Sequence, residues 1–465
     1  MSKNNALGHA PVGHLLFQFS LPAIVGMTAA SVYNMIDRIF IGHGVGPLAI
    51  SGLALTMPFA NLAIAFGAMV GVGASVLVSI RLGEKRDEDA LRILGTTVML
   101  NLVLSLGYSL AMLVLLDPIL RLFGASPETL PYARQFMQVI LLGNVFQHSY
   151  LGLNSIMRSA GFPRKAMLIT LSTVAVNLAL APVFLFVLHW GIRGAAFATV
   201  LAQLAGLALV VHHFADRRNA LRFRRENLVF DRVIIRDIFS VGMSAFFMQL
   251  CASMVAVVMN RQLVRYGGDY AVGAFGVINS VIMTVAMIIM GLTQGMQPIV
   301  GFNYGARHFV RMRRAFRLTV LAASVVALGG FALGQLLPHG IARLFTDDVR
   351  LLTIAEKGMR IAMLAFPLVG IPMVTSSFFQ SIGKAKISIL LSLSRQAVFL
   401  IPALVLLPHF WGFTGVWAAL PVSDACATFL AVAIWKYQSA RLEAPKHSGR
   451  DIVASLPGGS EAPPF

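Results

Sequence analysis

The amino-acid sequence contains two related halves. The tripeptide at 121–123 reappears at 343–345, and Gly161 in GFPRKAMLITLS reappears as Gly383 in GKAKISILLSLS, so that both pairs have the same separation along the chain. We call this separation the repeat offset. At the same offset, Gly46, Gly73 and Gly83 match Gly268, Gly295 and Gly305. Two further matches have slightly shorter offsets: Gly191 and Gly194 match Gly412 and Gly415, and FSLP at Phe19 matches FSVG at Phe239. Such regularity along the whole chain is not accidental.

The composition places both halves in a lipid bilayer. Hydrophobic residues make up 57% of the chain and charged residues only 12%, and the apolar runs exceed the roughly 18 residues that indicate a spanning helix. We therefore predict an all-α integral membrane protein with twelve spans. The predicted spans are 15–41, 48–80, 93–116, 133–157, 164–189, 193–214, 234–262, 271–303, 316–337, 358–381, 385–408 and 412–437.

The even number of spans in each half determines how the halves are related. Because each half has six spans, both enter the membrane from the same side and form parallel repeats about an axis along the membrane normal. We predict an N-terminal six-helix lobe at 1–227 and a C-terminal six-helix lobe at 228–438, with a central cleft between them. The Pro-, Gly- and Ser-rich remainder at 439–465 is predicted to be a disordered cytoplasmic tail. Internal symmetry of this kind is typical of membrane transporters.

The net charge of +18 reflects topology and does not indicate nucleic-acid binding. With the N-terminus inside, 26 of the 37 Lys and Arg residues fall on cytoplasmic segments, ten fall on outer loops, and Arg395 lies within a span. This distribution follows the positive-inside rule. It predicts that both termini are cytoplasmic.

Asp37 is the clearest charged residue within a predicted span. A charged Asp at a helix centre costs roughly 2.5–3.5 kcal/mol on insertion scales, so such a residue usually faces an interior cavity. Tyr33 and Asn34 precede Asp37 by four and three residues, and the helical repeat therefore predicts one shared face. We interpret the three as a proton or cation site. The alternative is an interfacial Asp paired with Arg38.

Further polar residues follow in the fifth and sixth spans of the first half. Thr170, Thr173 and Asn177 form a polar stripe along the fifth span, and Thr199 and Gln203 lie one turn apart in the sixth. Interhelical hydrogen bonds, worth about 0.6 kcal/mol each, are the alternative explanation. A functional role is favoured because the second half does not repeat the set. The counterparts of Asp37, Asn177 and Thr199 are Met259, Phe399 and Leu420.

The second half has a polar group of its own. Arg395 and Asp424 lie in the eleventh and twelfth spans, and Gln249 lies in the seventh. Counted from the short turn between their spans, Arg395 lies roughly 14 residues back and Asp424 roughly 13 forward, which predicts nearly equal depth. An ion pair that fixes packing is one interpretation. The other is that Asp424 is a second acidic site or a coupling element.

Several motifs resemble the multidrug and toxic compound extrusion (MATE) transporters. They are YNMIDRIFIGHGVGPLAISGLALTMPF, GVGASVLVSIRLGEK, RSAGFPRKAM, GIRGAAFAT and IMGLTQGMQPIVGFNYGA, in order along both halves. The resemblance implies a V-shaped pair of lobes that exports organic cations in exchange for protons or sodium ions. It also implies that Asp37 is the acidic site in the first helix of a prokaryotic branch, with Asn177 and Thr199 at two further cation-site positions. Similar sequences often have Asp where this chain has Ala181, in NLALAP, and this difference favours protons.

Together these features predict a secondary multidrug efflux antiporter of the bacterial inner membrane, working by alternating access on amphipathic organic cations. We expect a monomer with no cofactor, no bound metal and no enzymatic activity. Gln203, Gln249, Arg395 and Asp424 are candidates for the substrate cavity or for coupling. The alternative function is a lipid-linked oligosaccharide flippase, which would need a cationic cavity for pyrophosphate.

Overall fold

A computed structural model describes residues 7–345 and 348–441. Across these residues every regular element is a helix. The predicted tail lies outside the described residues from 442 onward. The last helix continues to Arg441, slightly beyond the predicted end of the second lobe.

Six long helices form the first lobe. A short helix, Pro47–Leu55, precedes the second of them, and another, Leu116–Leu122, follows the third. The break at Thr56 divides the predicted span 48–80 into two helices. The six are α1 (Val12–Gly44), α2 (Met57–Gly83), α3 (Asp87–Val114), α4 (Leu130–Ser159), α5 (Pro163–Val187, whose last turn is a π-helix) and α6 (Gly191–Ala215).

The second lobe repeats this arrangement. Its short helix Pro338–Arg343 is the counterpart of Leu116–Leu122, because the two helices begin one repeat offset apart and each follows the third long helix of its lobe. The six long helices are α7 (Arg232–Gly268), α8 (Tyr270–Gly305), α9 (Phe309–Leu336), α10 (Val349–Ala362 and Phe366–Ser381, bent by 47°), α11 (385–411) and α12 (413–441).

The twelve helices lie at the twelve predicted spans. Nine helices of the described chain are long and apolar enough to cross a membrane, or ten if the bent pair in α10 is one span. In this count α11 and α12 form one continuous apolar stretch, although Gly412 breaks the helical backbone between them. The 30-residue α4 is less apolar, and it carries the buried polar residues Asn144, His148 and Asn154.

One predicted boundary needs correction. The span expected at 358–381 begins earlier, at Val349. Its first turns are amphipathic, and their charged residues lie toward solvent, where Arg360 donates to Glu356 at 3.1 Å. Hydropathy alone therefore does not predict these turns as part of the span.

The lobes meet along a seam of glycines at one end of the bundle. We call this end, where α1 and α7 begin and α2 and α8 end, the basal face, and the other end the distal face. A Cβ atom on Gly83 would overlap the carbonyl oxygen of Phe302, and one on Gly305 would overlap that of Ile80. Both pairs are related by the repeat offset, so the same contact is made twice about the pseudo-two-fold axis.

Other contacts extend the seam into the membrane. Gly73 and Gly242 bring α2 and α7 together, while Gly291 and Gly295 bring α8 against α1. The largest apolar core accordingly continues across both lobes in the basal half. The distal part of the first lobe has two separate cores, one around Phe59 and Leu120 and one around Ile41 and Leu185. The lobes are therefore most tightly joined near the basal face.

The seam gives a direct test. Gly83→Ala should weaken basal closure, because a methyl group would overlap a backbone carbonyl that cannot rotate away, at a cost of about 1–3 kcal/mol. We expect a lower melting temperature in detergent. Gly107→Ala is the matched control, since Gly107 is also helical but a Cβ there meets nothing within 4 Å, and its melting temperature should not fall. Equal melting temperatures for the two variants would contradict the seam's role.

Candidate functional site

A hydrogen-bonded polar cluster lies between α1, α5 and α6 in the first lobe. Asn177 Nδ2 donates to Tyr33 Oη and to Thr199 Oγ1, both at 3.2 Å. The Tyr33 and Thr199 hydroxyls are 3.3 Å apart. Thr199 Oγ1 also lies 3.1 Å from the carbonyl of Ala195 on its own helix and can donate to it. Three side chains thus join α1 to the consecutive helices α5 and α6, which follow it much later in the sequence.

Asp37 lies one turn beyond Tyr33 on α1 and is buried, with 9% of its surface exposed. Asp37 Oδ1 and Asn177 Oδ1 are both buried without a hydrogen-bond partner in the described structure. An uncompensated buried polar oxygen costs about 1–3 kcal/mol, and more if it is charged. The cluster is therefore suited to accept a proton or a cation.

Asn34 does not join this cluster. The sequence predicted a face shared with Tyr33 and Asp37, but Asn34 is exposed. Consecutive helical residues are about 100° apart, so a face that holds Tyr33 and Asp37 turns Asn34 about 60° away from Asp37. Gln203 is half-buried one turn from Thr199, and its amide makes no hydrogen bond within the described chain.

A neighbouring threonine on α5 has a packing role instead. Thr170 Oγ1 accepts hydrogen bonds from Tyr150 Oη and Asn154 Nδ2 of α4, each at 3.1 Å. The interhelical hydrogen bonds considered as an alternative for this stripe thus occur at Thr170. Asn177, two turns further along α5, belongs to the cluster around Tyr33.

In the second lobe, α11 and α12 bring Arg395 and Asp424 together. Arg395 Nε donates to Asp424 Oδ1 at 2.9 Å, and Ser423 Oγ donates to the Arg395 carbonyl at 2.8 Å. Asp424 is buried, whereas the Arg395 side chain is partly exposed. Arg395 lies in a π-helical stretch, Ser394–Leu400, of a kind often found at functional sites. Gln249 is half-buried on α7, and its side chain makes no hydrogen bond within the described residues.

A polar link between the lobes was missed by sequence reasoning. Arg158 Nη1 at the basal end of α4 donates to Gln294 Oε1 of α8 at 2.6 Å. Gln294 Nε2 in turn contacts Met27 Sδ of α1 at 3.3 Å. The repeat offers one signal for this link, because the counterpart of Arg158 in the second half is the uncharged Gln380. Gln380 Nε2 donates to Ser244 Oγ of its own lobe at 2.6 Å.

The described architecture matches a known transporter family. The family model MatE matches residues 22–183 and matches again at residues 244–406. The chain belongs to the MATE family. The starts of the two matches are separated by the repeat offset, in agreement with the duplication read from the sequence. Members of this family are membrane transporters and not enzymes, so the polar clusters are ion, substrate or packing sites.

Relatives and solved structures agree with this assignment. "Multidrug export protein MepA" of Staphylococcus haemolyticus is 27% identical over 420 residues, which cover 90% of this MATE protein and 92% of the relative. A structure described as the outward-facing conformation of a multidrug resistance MATE family transporter of the MOP superfamily is 25% identical, with a TM-score of 0.89, and covers 96% of this chain and 99% of its own. A MOP superfamily transporter from Pyrococcus furiosus, described as having a binding pocket of reversed polarity that suggests a different function, is also 25% identical, with a TM-score of 0.89 over 94% of this chain and 98% of its own.

The ion pair in the second lobe of this MATE protein can be tested by a double-mutant cycle. Removing one partner of a buried pair leaves an uncompensated charge and costs about 3–5 kcal/mol, whereas removing both costs less. We expect Arg395→Ala and Asp424→Ala each to lower the melting temperature in detergent. The double variant should recover part of the loss. Strictly additive losses would show that the two residues act separately.

Proposed function

We propose that this MATE transporter exports amphipathic organic cations across the bacterial inner membrane in exchange for protons. The observation that carries the proposal is the buried Asp37 carboxyl, which has an oxygen without a partner beside the Tyr33, Asn177 and Thr199 cluster. The multidrug export proteins among its relatives support drugs as the class of substrate.

The set of oxygen ligands supports protons over sodium. Hard cations such as sodium prefer several oxygen donors, as calcium and magnesium do. Position 181, one turn from Asn177 on α5, is a fully buried alanine, whose side chain supplies no oxygen. Thr199 Oγ1 is already engaged by Asn177 and by the Ala195 carbonyl. A single proton on Asp37 needs only one oxygen.

Transport would proceed by competition between the proton and the drug. The deprotonated Asp37 attracts an organic cation into the first lobe. Protonation from the outer side then removes that attraction and changes the hydrogen bonding of α1 around Tyr33, which favours drug release. Loss of the proton inside restores the carboxylate for the next cycle.

The seam and the charge distribution support an assignment of the two faces. Lys and Arg are concentrated at the basal face, which by the positive-inside rule is cytoplasmic. The glycine seam closes the basal side, so the conformation described here is outward-facing in this assignment. Drug loading requires the seam to part. The seam is therefore the inner gate of the alternating-access cycle.

The flippase alternative has less support. It depends on a cation at mid-membrane that is free to hold a pyrophosphate group. Arg395, the candidate for that role, donates to Asp424 at 2.9 Å. Its charge is thus already compensated within its own lobe.

Asp37→Asn tests the proposed site. We expect the variant to insert normally but to lose drug transport driven by a pH gradient, because an amide cannot take up and release the proton. The measurement is ethidium uptake into inverted vesicles. The control is Glu128→Gln, which neutralises an exposed carboxylate in a loop at the distal face and should transport normally. Normal transport by well-expressed Asp37→Asn would refute the proposal.

The coupling ion can be tested in the same vesicles. We expect uptake to follow an imposed pH gradient and to respond weakly to an imposed sodium gradient at clamped pH. Sodium-driven uptake at clamped pH that is lost in Asn177→Ala would contradict proton coupling. It would indicate a sodium site built around Asp37 and Asn177.

A further inference from the structure

A small cavity lies at the basal face between the start of α1 and the turn from α4 to α5. Its volume is about 110 Å³. One wall is apolar and comes mainly from Leu7, Leu15 and Phe19, and the other comes from the turn at 161–165. Leu15 and Phe19 lie one to two turns into α1, roughly 5–10 Å from its first residue. The cavity thus extends from the membrane interface toward the hydrocarbon.

The open side of the cavity is cationic. Arg164 and Lys165 are both exposed and line it, and its lining contains no acidic residue. Lys165 Nζ lies 5.4 Å from the centre of the Phe162 ring, and Arg164 makes no ion pair within the described residues. Within the part of the chain that the structure describes, these two positive charges have no carboxylate paired with them.

Three carboxylates of the basal face are paired with other basic residues. Glu84 pairs with Arg81 at 2.8 Å, and Glu88 pairs with Arg224 at 2.9 Å. Asp89 pairs with Arg86. The first backbone N–H groups of α5, which begins at Pro163, have no intrahelical acceptor and add partial positive charge at the same turn. The cavity is therefore complementary to an anion.

The apolar wall distinguishes between sources of that anion. A free phosphate ion would gain nothing from Leu15 and Phe19. A phospholipid carries a phosphodiester beside a glycerol and acyl chains, and basic pockets between helices on the cytoplasmic side of membrane proteins bind such headgroups. We propose that this cavity binds the phosphodiester of an anionic phospholipid such as phosphatidylglycerol.

The position of the cavity gives the bound lipid a role in gating. The Leu7 carbonyl accepts hydrogen bonds from Asn303 at 3.2 Å and from Arg311 at 3.3 Å, both in the second lobe. Ser20, next to Phe19, donates to the Leu292 carbonyl of α8 at 3.4 Å. A lipid that braces Leu7 and Phe19 thus holds the basal part of α1 in the position where it meets the second lobe. It stabilises the closed basal seam whichever ion or drug is transported.

Lipid titration of the full-length protein in detergent, followed by native mass spectrometry and thermal melting, tests the proposal. Phosphatidylglycerol should bind more tightly than phosphatidylcholine and should raise the melting temperature. Basic residues near an anionic lipid surface strengthen its binding, so Arg164→Gln with Lys165→Gln should weaken phosphatidylglycerol binding about thirtyfold. This variant should melt like the wild type in phosphatidylcholine, since both side chains are exposed.

The control is Arg217→Gln with Arg218→Gln, which removes the same charge from exposed positions in the loop after α6. This variant should keep wild-type lipid binding. An equal loss in both double variants would overturn the proposal and indicate general surface attraction. Equal stabilisation by inorganic phosphate alone would also overturn it, because the apolar wall would then be irrelevant. So would the absence of any preference for phosphatidylglycerol over phosphatidylcholine.

Discussion

The rest of the structure depends on a backbone contact at the basal face that is made twice. Gly83 lies against the Phe302 carbonyl and Gly305 against the Ile80 carbonyl, with no room for a side chain at either glycine. In a membrane the hydrophobic effect does not drive helix association, so small residues that allow close approach supply much of the packing energy between helices. Because the same glycines recur at the repeat offset, one duplicated motif supplies both sides of the contact.

The two lobes share a fold but differ in their polar interiors. In the first lobe, Asp37 keeps an oxygen without a partner, and its neighbours are held by a network that joins α1, α5 and α6. In the second lobe, Asp424 has a partner in Arg395. A carboxyl group with an unused oxygen is free to take up a proton or a cation, whereas a paired one is largely compensated. The repeat therefore provides the scaffold, and the departures from it form the candidate proton or cation site.

Much of the candidate site could be predicted because the membrane limits where polar groups can go. A charged residue within an apolar run has few inexpensive positions, so Asp37 and Asn177 were expected to face inward, and both are buried. The exposure of Asn34 could not be predicted in this way. Asn34 and Tyr33 lie on opposite sides of Asp37 around the helix, and only packing shows which of them is enclosed. The interhelical hydrogen bond to Thr170 shows the same limit. Thr170 lies two turns before Asn177 on the same face of α5, but its hydrogen-bond partners belong to α4.

The sequence by itself determined the duplicated architecture, the number of helices and the asymmetry between the lobes, because hydropathy, helix length and the repeat offset are properties of the chain. Only the tertiary structure decided that Gly83 and Gly305 lie at the lobe seam and that Arg158 reaches Gln294 across it. It alone placed Arg164 and Lys165 beside a cavity lined by α1. The physical reason is that helices distant in sequence must pack before such contacts exist. A local pattern specifies which residues a helix presents, but not which residues it will meet.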